Sequence, residues 1–298
     1  INSKKLTDIV LSINFENKTK YSMPEKVGDE TIQVPVPLEQ SALNPVFVQS
    51  ELDVFDIDRI NEIAKDYFKN DYDYVRKSVE VSGNLVYVYR TEKILKINED
   101  GLLDFYDASI EPENSPNVYK SFAAAVNFIE EFLGFPENGY LSNVEKILLE
   151  GNEGYRFTFS YNILERPILF SRVRENAALQ IDVAGNNVIS YKRFIRNIDR
   201  TQMDKMAEIE VTPAIEVIRN NIDTSAGEEN ADTVPGEGQE EAVQLKPIKP
   251  EMIKEINNIY LGYFDLSRIS REQVLRVVWV IETNEKTFIF NAISGLLI

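Results

Sequence analysis

Two groups of carboxylates are spaced closely enough to do chemistry. Asp53, Asp56 and Asp58 fall in one short stretch, and hard cations such as calcium take several oxygen ligands from neighbouring positions. A calcium loop, however, alternates its acids, turns on a glycine and closes with a glutamate. Here the spacing is three then two, and an amphipathic pattern follows at once. That arrangement points to Asp56 or Asp58 capping a helix rather than to a metal site. Asp71 and Asp73, flanked by Tyr72 and Tyr74, would share one face of a strand and could hold a sugar between aromatics, the beginning of a two-carboxylate glycosidase. Such a pair is common by chance. A third candidate is the alternating set Tyr155, Phe157, Phe159 and Tyr161, which could offer rigid contact area to carbohydrate or peptide. Core packing beneath a helix explains the same alternation more simply. Gly151 and Gly154 lack the following lysine of a phosphate loop.

The residue types that are missing narrow the chemistry further. The 298 residues contain no cysteine and no histidine, which removes disulfides, thiolate nucleophiles, iron–sulfur clusters, the usual zinc and haem ligands, and Ser-His-Asp or Cys-His catalysis. Any catalysis would need carboxylate pairs, lysine, tyrosine or an oxygen-ligated metal. With 49 acidic against 32 basic side chains the net charge is −17, which repels phosphate backbones, so nucleic acid is not an expected partner. No catalytic, cofactor-binding or metal residue is assigned from the sequence, and its chemistry points away from most enzymes without naming a function.

The elements that would position these residues suggest an α+β fold, with helices packed on one face of antiparallel sheets in tandem helix-plus-sheet units. The length suits two or three domains, and the expected boundaries are 1–110, 111–205 and 206–298. A strand is expected over 7–15, and the prolines between Val34 and Pro45 suggest a surface connection outside any central strand. Ile60, Ile63, Ala64, Tyr67 and Phe68 carry helical spacing, and a meander follows near 75–81, 85–89 and 102–105 with turns at Gly83-Asn84 and Asp100-Gly101. Ser115-Pro116 is expected to open a second helix with Phe122, Val126 and Ile129 on its apolar stripe, stopped by Gly134 and Pro136. Strands over 140–149, 155–162, 167–172, 177–184 and 188–195 would take that stripe. Thr212-Pro213 repeats the pattern, with Ile215, Ile218 and Ile222 on one side of a short helix. The segment 223–245 carries seven acidic residues and no basic one, the composition of a disordered loop. Strands resume over 253–264, 274–282 and 286–291, and Val274–Ile281 is apolar on both faces, as in a central strand.

The second and third units resemble the YycH/YycI family, and YycI more than YycH. The residues that carry the resemblance are Gly154-Tyr-Arg-Phe157, Arg166-Pro-Ile-Leu-Phe-Ser171, and Leu179-Gln-Ile-Asp-Val183 turning at Gly185-Asn-Asn187 into Val188-Ile-Ser-Tyr191. Towards the end they are Tyr260-Leu-Gly-Tyr-Phe264, Val277-Val-Trp-Val-Ile281 and Phe288-Ile-Phe-Asn-Ala-Ile-Ser-Gly295. The helix followed by an antiparallel sheet also resembles the broader PepSY type of module. The resemblance implies an extracytoplasmic, non-enzymatic regulator of the YycF/YycG (WalR/WalK) two-component system of Gram-positive bacteria, acting on cell-wall homeostasis. Its partners would be the sensor histidine kinase and a YycH-like protein, in a homo- or hetero-dimer. It would be held on the outer face of the plasma membrane by an N-terminal helix. The chain starts at Ile1, so that anchor is expected upstream. The alternatives are a PepSY-like inhibitor or chaperone of a secreted hydrolase, and a carboxylate hydrolase of wall sugars using Asp71 and Asp73.

Overall fold

A computed structural model describes residues 20–22, 24–38, 43, 45–109, 117–149, 152–171, 177–203, 209–223, 247–266 and 272–298. The strand expected over 7–15, the Ser115-Pro116 pair and all but the first residue of the acidic segment 223–245 lie outside them. The protein is a mixed α/β chain dominated by sheet, and its largest sheet has 14 strands.

In chain order, β1 (Tyr21–Ser22), β2 (Glu25–Val27), β3 (Glu30–Ile32), β4 (Val36–Pro37) and β5 (Val46–Ser50) precede helix α1 (Ile57–Phe68). A meander of β6 (Arg76–Val79), β7 (Leu85–Tyr89), β8 (Lys93–Ile97) and β9 (Leu103–Asp107) leads to helix α2 (Val118–Glu131). Then come β10 (Gly139–Leu149), β11 (Asn152–Ile163), β12 (Arg166–Phe170), β13 (Leu179–Ala184), β14 (Asn187–Arg193) and β15 (Arg196–Ile198). Helices α3 (Arg200–Met203) and α4 (Ala214–Asn220) and strands β16 (Ile256–Asp265), β17 (Glu272–Thr283) and β18 (Thr287–Asn291) complete the chain.

Contacts divide the chain into two compact units, 45–207 with 262–276, and 1–44 with 208–261 and 277–298. This division is not the three consecutive ranges expected from the sequence. The change of unit falls inside the long strands β16 and β17.

In the larger unit the strand order is β15-β5-β17-β16-β12-β11-β13-β14-β9-β8-β7-β6, with β10 also paired to β11. The described registers are antiparallel except Ile168–Phe170 against Tyr263–Asp265, which run parallel. Helix α1 forms as its sequence dictates. The Asp56 side chain accepts from the Arg59 N–H at 3.3 Å and occupies an otherwise orphan donor, and the apolar stripe Ile60, Ile63, Ala64, Tyr67 and Phe68 is buried. Helix α2 departs from expectation. Its cap is Asn117, which accepts from the N–H groups of Tyr119 and Lys120, and its most buried face is Ser121, Ala125 and Ile129. Phe122 and Val126 are only half-buried. The small residues let the helix approach the sheet closely, and the Ser121 hydroxyl donates to the Gly185 carbonyl at 2.6 Å. The rings of Phe122 and Phe128 flank that line, 5.4 Å from Phe157 on one side and 5.3 Å from Tyr191 on the other.

In the smaller unit, the first four strands form two-stranded ladders, β1 with β4 and β2 with β3. Val36 and Pro37 are buried within β4, so the proline-rich stretch is not purely a surface connection. A two-stranded ribbon tolerates Pro37 because an edge strand has N–H positions that need no ladder partner. Helix α4 buries Ala214, Val217 and Ile218 rather than Ile215. Thr212 does not cap it, since its hydroxyl donates to the Ile293 carbonyl. Trp279 is fully buried in β17, and its indole N–H donates to the Thr212 carbonyl at 2.7 Å.

Candidate functional site

Two arginines stand at the centre of the larger unit. Ile189, Tyr191 and Arg193 share the inward parity of β14, so the strand carries Arg193 into the core, where it is 1% exposed. A buried guanidinium requires acceptors, and it has a full set. Nε and Nη2 grip the two oxygens of Glu51 at 2.6 and 2.7 Å, and Nη1 donates to the Gly134 carbonyl at 2.6 Å. Burial alone would lower its pKa, but hydrogen bonding and charge from Glu51 outweigh burial and raise it. The contact also satisfies the end of α2, where Leu133 holds the left-handed conformation (φ 72°) and the Gly134 N–H donates to Ile129 O at 2.9 Å.

Arg196, at the head of β15, is equally buried. Its Nε donates to Asp265 Oδ2 at 2.8 Å, with neither side chain exposed. Nη1 donates to the Ser50 hydroxyl, which itself donates to the Asp100 carbonyl at 2.6 Å. Gln273 donates to the other oxygen of Asp265. The Arg196 guanidinium lies 4.6 Å from the Phe194 ring centre, and its backbone N–H donates to the Tyr161 hydroxyl at 2.9 Å. Burial raises the pKa of Tyr161, which stays protonated. One polar atom is left over: Arg196 Nη2 is buried and has no hydrogen-bonding partner among the described residues.

Both arginines line a cavity of about 590 Å³, within the usual size range of small-ligand pockets. Its mouth carries Asn138, Asn162, Asn197 and Arg200, with Leu133, Phe135 and Ile195 among its apolar residues. Backbone in the left-handed region is concentrated here. Leu133, Asn138, Leu164 and Glu165 all line the cavity, and all have positive φ. Leu164 and Glu165 (φ 49° and 64°) are the two loop residues of the hairpin joining β11 to β12, the positions of a type I′ turn where Asn-Gly is the usual choice.

The carboxylates singled out from the sequence do not assemble a site. Asp56 caps α1, and the Asp53 side chain accepts from the Phe55 N–H at 3.0 Å. Asp71 and Asp73 lie on a 3₁₀ turn, Lys69–Tyr74, not on a strand. With three residues per turn, positions two apart point in different directions, so these two do not share a face as the sugar-binding arrangement required. Phe157 and Phe159 are buried against the Phe122 ring of α2, Tyr161 is buried beside Arg196 and Tyr155 is half-buried, so most of that aromatic face is core. Among the described residues no group of three or more Asp and Glu could hold a metal ion.

Sequence reasoning also missed the edge at β10. This 11-residue strand pairs with β11 along one side and with no other strand among the described residues. Leu141, Val144 and Leu148 lie opposite Phe159, Phe157 and Glu153, on the side of the sheet that α2 covers further in. Leu148 is 74% exposed and Val144 42%.

No protein-family model matches the chain, and no curated protein matches it. Among solved structures it is similar to an uncharacterized protein from Eubacterium rectale, at 13% identity and a TM-score of 0.52 over 92% of each chain. At that identity the likeness concerns the fold alone.

Proposed function

We propose that this chain is a non-enzymatic regulatory protein that acts by protein–protein contact and receives its partner along the open edge of β10. The observation that carries this reading is the edge itself. A long strand with one edge unpaired among the described residues and with exposed Leu141, Val144 and Leu148 offers main-chain donors and acceptors for strand addition and apolar positions for recognition. The charged groups of the interior support it from the other side, because Arg193–Glu51 and Arg196–Asp265 are held in closed pairs rather than poised for proton transfer.

The partner is proposed from the family resemblance. It is a sensor histidine kinase of the YycG/WalK type, met on the outer face of the plasma membrane together with a YycH-like protein. Among the described residues no helix is long and apolar enough to cross a membrane, and the outer-face location is proposed from the resemblance alone. The finer architecture is proposed as PepSY-like, with α2 over β11, β13 and β14 as one helix-plus-sheet unit.

The test is quantitative binding of this chain to the purified extracytoplasmic domains of the kinase and of the YycH-like protein. Val144→Lys and Leu148→Lys place charge on exposed positions outside the core, so they leave melting temperature unchanged and weaken binding at least about tenfold, as for central contact residues. Unaltered affinity in both variants would remove β10 from the proposal. Absence of binding to either domain would remove the partner.

A further inference from the structure

We infer that Asn138 is a site of spontaneous covalent modification, at which the side-chain amide is lost through a cyclic imide and the head of β10 gains a carboxylate. The reaction needs only water and is read on the free chain, so it does not depend on the partner proposed for β10.

Asparagine is chemically labile, and how labile depends on the residue that follows it. The backbone nitrogen of that residue must reach the asparagine side-chain carbonyl carbon, and glycine leaves the nitrogen unshielded because it has no Cβ. Asn138-Gly139 is the one Asn-Gly pair in the 298 residues. The fold calls for this glycine, since a Cβ on it would stand 3.0 Å from the Pro136 carbonyl oxygen and 3.2 Å from Pro136 Cγ. The Gly139 N–H donates to the same carbonyl at 3.0 Å. Of the two central residues of that turn, Asn138 has positive φ (57°) and Glu137 does not, the type II pattern that accepts asparagine at its third position. Asn138 is exposed, and its carboxamide has no hydrogen-bonding partner among the described residues.

The step balances with water alone. The Gly139 nitrogen bonds to Asn138 Cγ and gives up its proton, and the side-chain nitrogen leaves as ammonia. Water then opens the five-membered imide. Opening at Cγ gives aspartate, and opening at the main-chain carbonyl gives isoaspartate, whose chain runs through the side-chain carbon and is one carbon longer. Either product places a new negative charge next to the exposed Glu137. Isoaspartate also lengthens the chain just ahead of the Gly139–Tyr161 pair and displaces the Asn138 carbonyl, which accepts from the Asn162 N–H at 3.3 Å. The first rungs of β10 against β11 are therefore the ones that loosen. The attacking nitrogen is itself the donor of the turn's hydrogen bond, so attack waits for the turn to open. Losing the net contribution of one hydrogen bond slows the folded chain about fivefold relative to the unfolded one.

The experiment ages the full chain at mildly alkaline pH, which favours loss of the proton from the attacking nitrogen, with one sample folded and a second unfolded in guanidinium chloride. Peptide mapping by mass spectrometry locates each converted asparagine, and an isoaspartyl methyltransferase counts isoaspartate. In the folded chain Asn138 should convert ahead of every other asparagine among the described residues, about fivefold more slowly than in the unfolded chain. Asn138→Gly removes the amide and suits the positive φ. That variant should start with an unchanged or raised melting temperature and keep it on ageing, while the melting temperature of the parent chain falls. Three results would each overturn the inference. They are no product at Asn138 in the folded chain, earlier conversion of another described asparagine, and an aged Asn138→Gly chain that loses as much melting temperature as the aged parent.

Discussion

Removing Arg196 and Asp265 one at a time and together separates a pair that stabilises the fold from a pair that is merely tolerated by it. Each side chain is fully buried, and their contact is 2.8 Å. Arg196→Met deletes the donors to Asp265 and Ser50 and the stacking on Phe194, and takes the Arg196 cation away from the buried Asp265 carboxylate. Breaking a buried ion pair from one side costs about 3–5 kcal/mol. Asp265→Leu leaves the guanidinium with the Ser50 hydroxyl as its remaining side-chain acceptor in the described network, and the same range applies. Replacing both removes the desolvation penalty along with the attraction, and apolar substitutes of similar volume bring the net loss to about 0–2 kcal/mol. The singles should therefore sum to about 6–10 kcal/mol and the double variant should fall well short of that, a coupling of at least about 3 kcal/mol. Urea unfolding followed by far-ultraviolet circular dichroism measures all four corners of the cycle. A double variant as unstable as the sum of the singles would show that the surrounding packing, not the charge pairing, decides the site.

Replacing Leu164-Glu165 by Asn-Gly should raise stability by about 1 kcal/mol, because positive φ suits those residues; a lowered melting temperature would mean that the Leu164 side chain contributes more than its strain costs. Burial raises the pKa of Tyr87 to about 12, so the unfolded chain loses that proton first, and stability present below pH 10 should fall as pH rises from about 10 to 12. Tyr87→Phe should flatten that fall in urea titrations at successive pH values, and an unchanged slope would contradict the assignment. Substituting a short Gly-Ser linker for residues 225–243 should shift the melting temperature by less than about 2 °C, since halving a loop changes its closure term by only about 0.6 kcal/mol. The ends are held independently by Asp223 N to Ile248 O at 2.9 Å and Ile248 N to Asn221 O at 3.1 Å. A large fall would show that the acidic segment is part of the fold.

Local periodicity carried most of the element assignments. Helix α1 was legible down to its cap, because Asp56 and the stripe from Ile60 to Phe68 are decided within one stretch of chain. The central strand around Val277–Ile281 was equally plain, since apolar residues on both faces leave little alternative. Where the reading failed, either the local chain path or a non-local neighbour had intervened. The Asp71–Asp73 pair reads as alternating, but the chain continues from α1 into a 3₁₀ turn before any strand begins. The expected stripe of α2 rotated because aromatic rings arrive from two directions, and the small Ser121 and Ala125 on the line between them meet the sheet.

The arginine centre was the least legible part, for a reason that can be stated residue by residue. One signal was present: Arg193 falls on the inward parity set by Ile189 and Tyr191, and a charge at a core position implies a buried partner. Its partner Glu51 lies 142 residues away, and Asp265 lies 69 residues from Arg196, so no spacing rule connects them. The cavity edge was hidden differently. Leu164 and Glu165 are poor residues for a two-residue turn, and only the finished pairing of β11 with β12 reveals that they form one. The strain therefore identifies a place where the fold overrides local preference, as residues in rare conformations do when their surroundings hold them there. The same small region also holds both buried guanidinium groups and, among the described residues, the one buried guanidinium nitrogen without a hydrogen-bond partner, so the strained turn and the buried charge coincide.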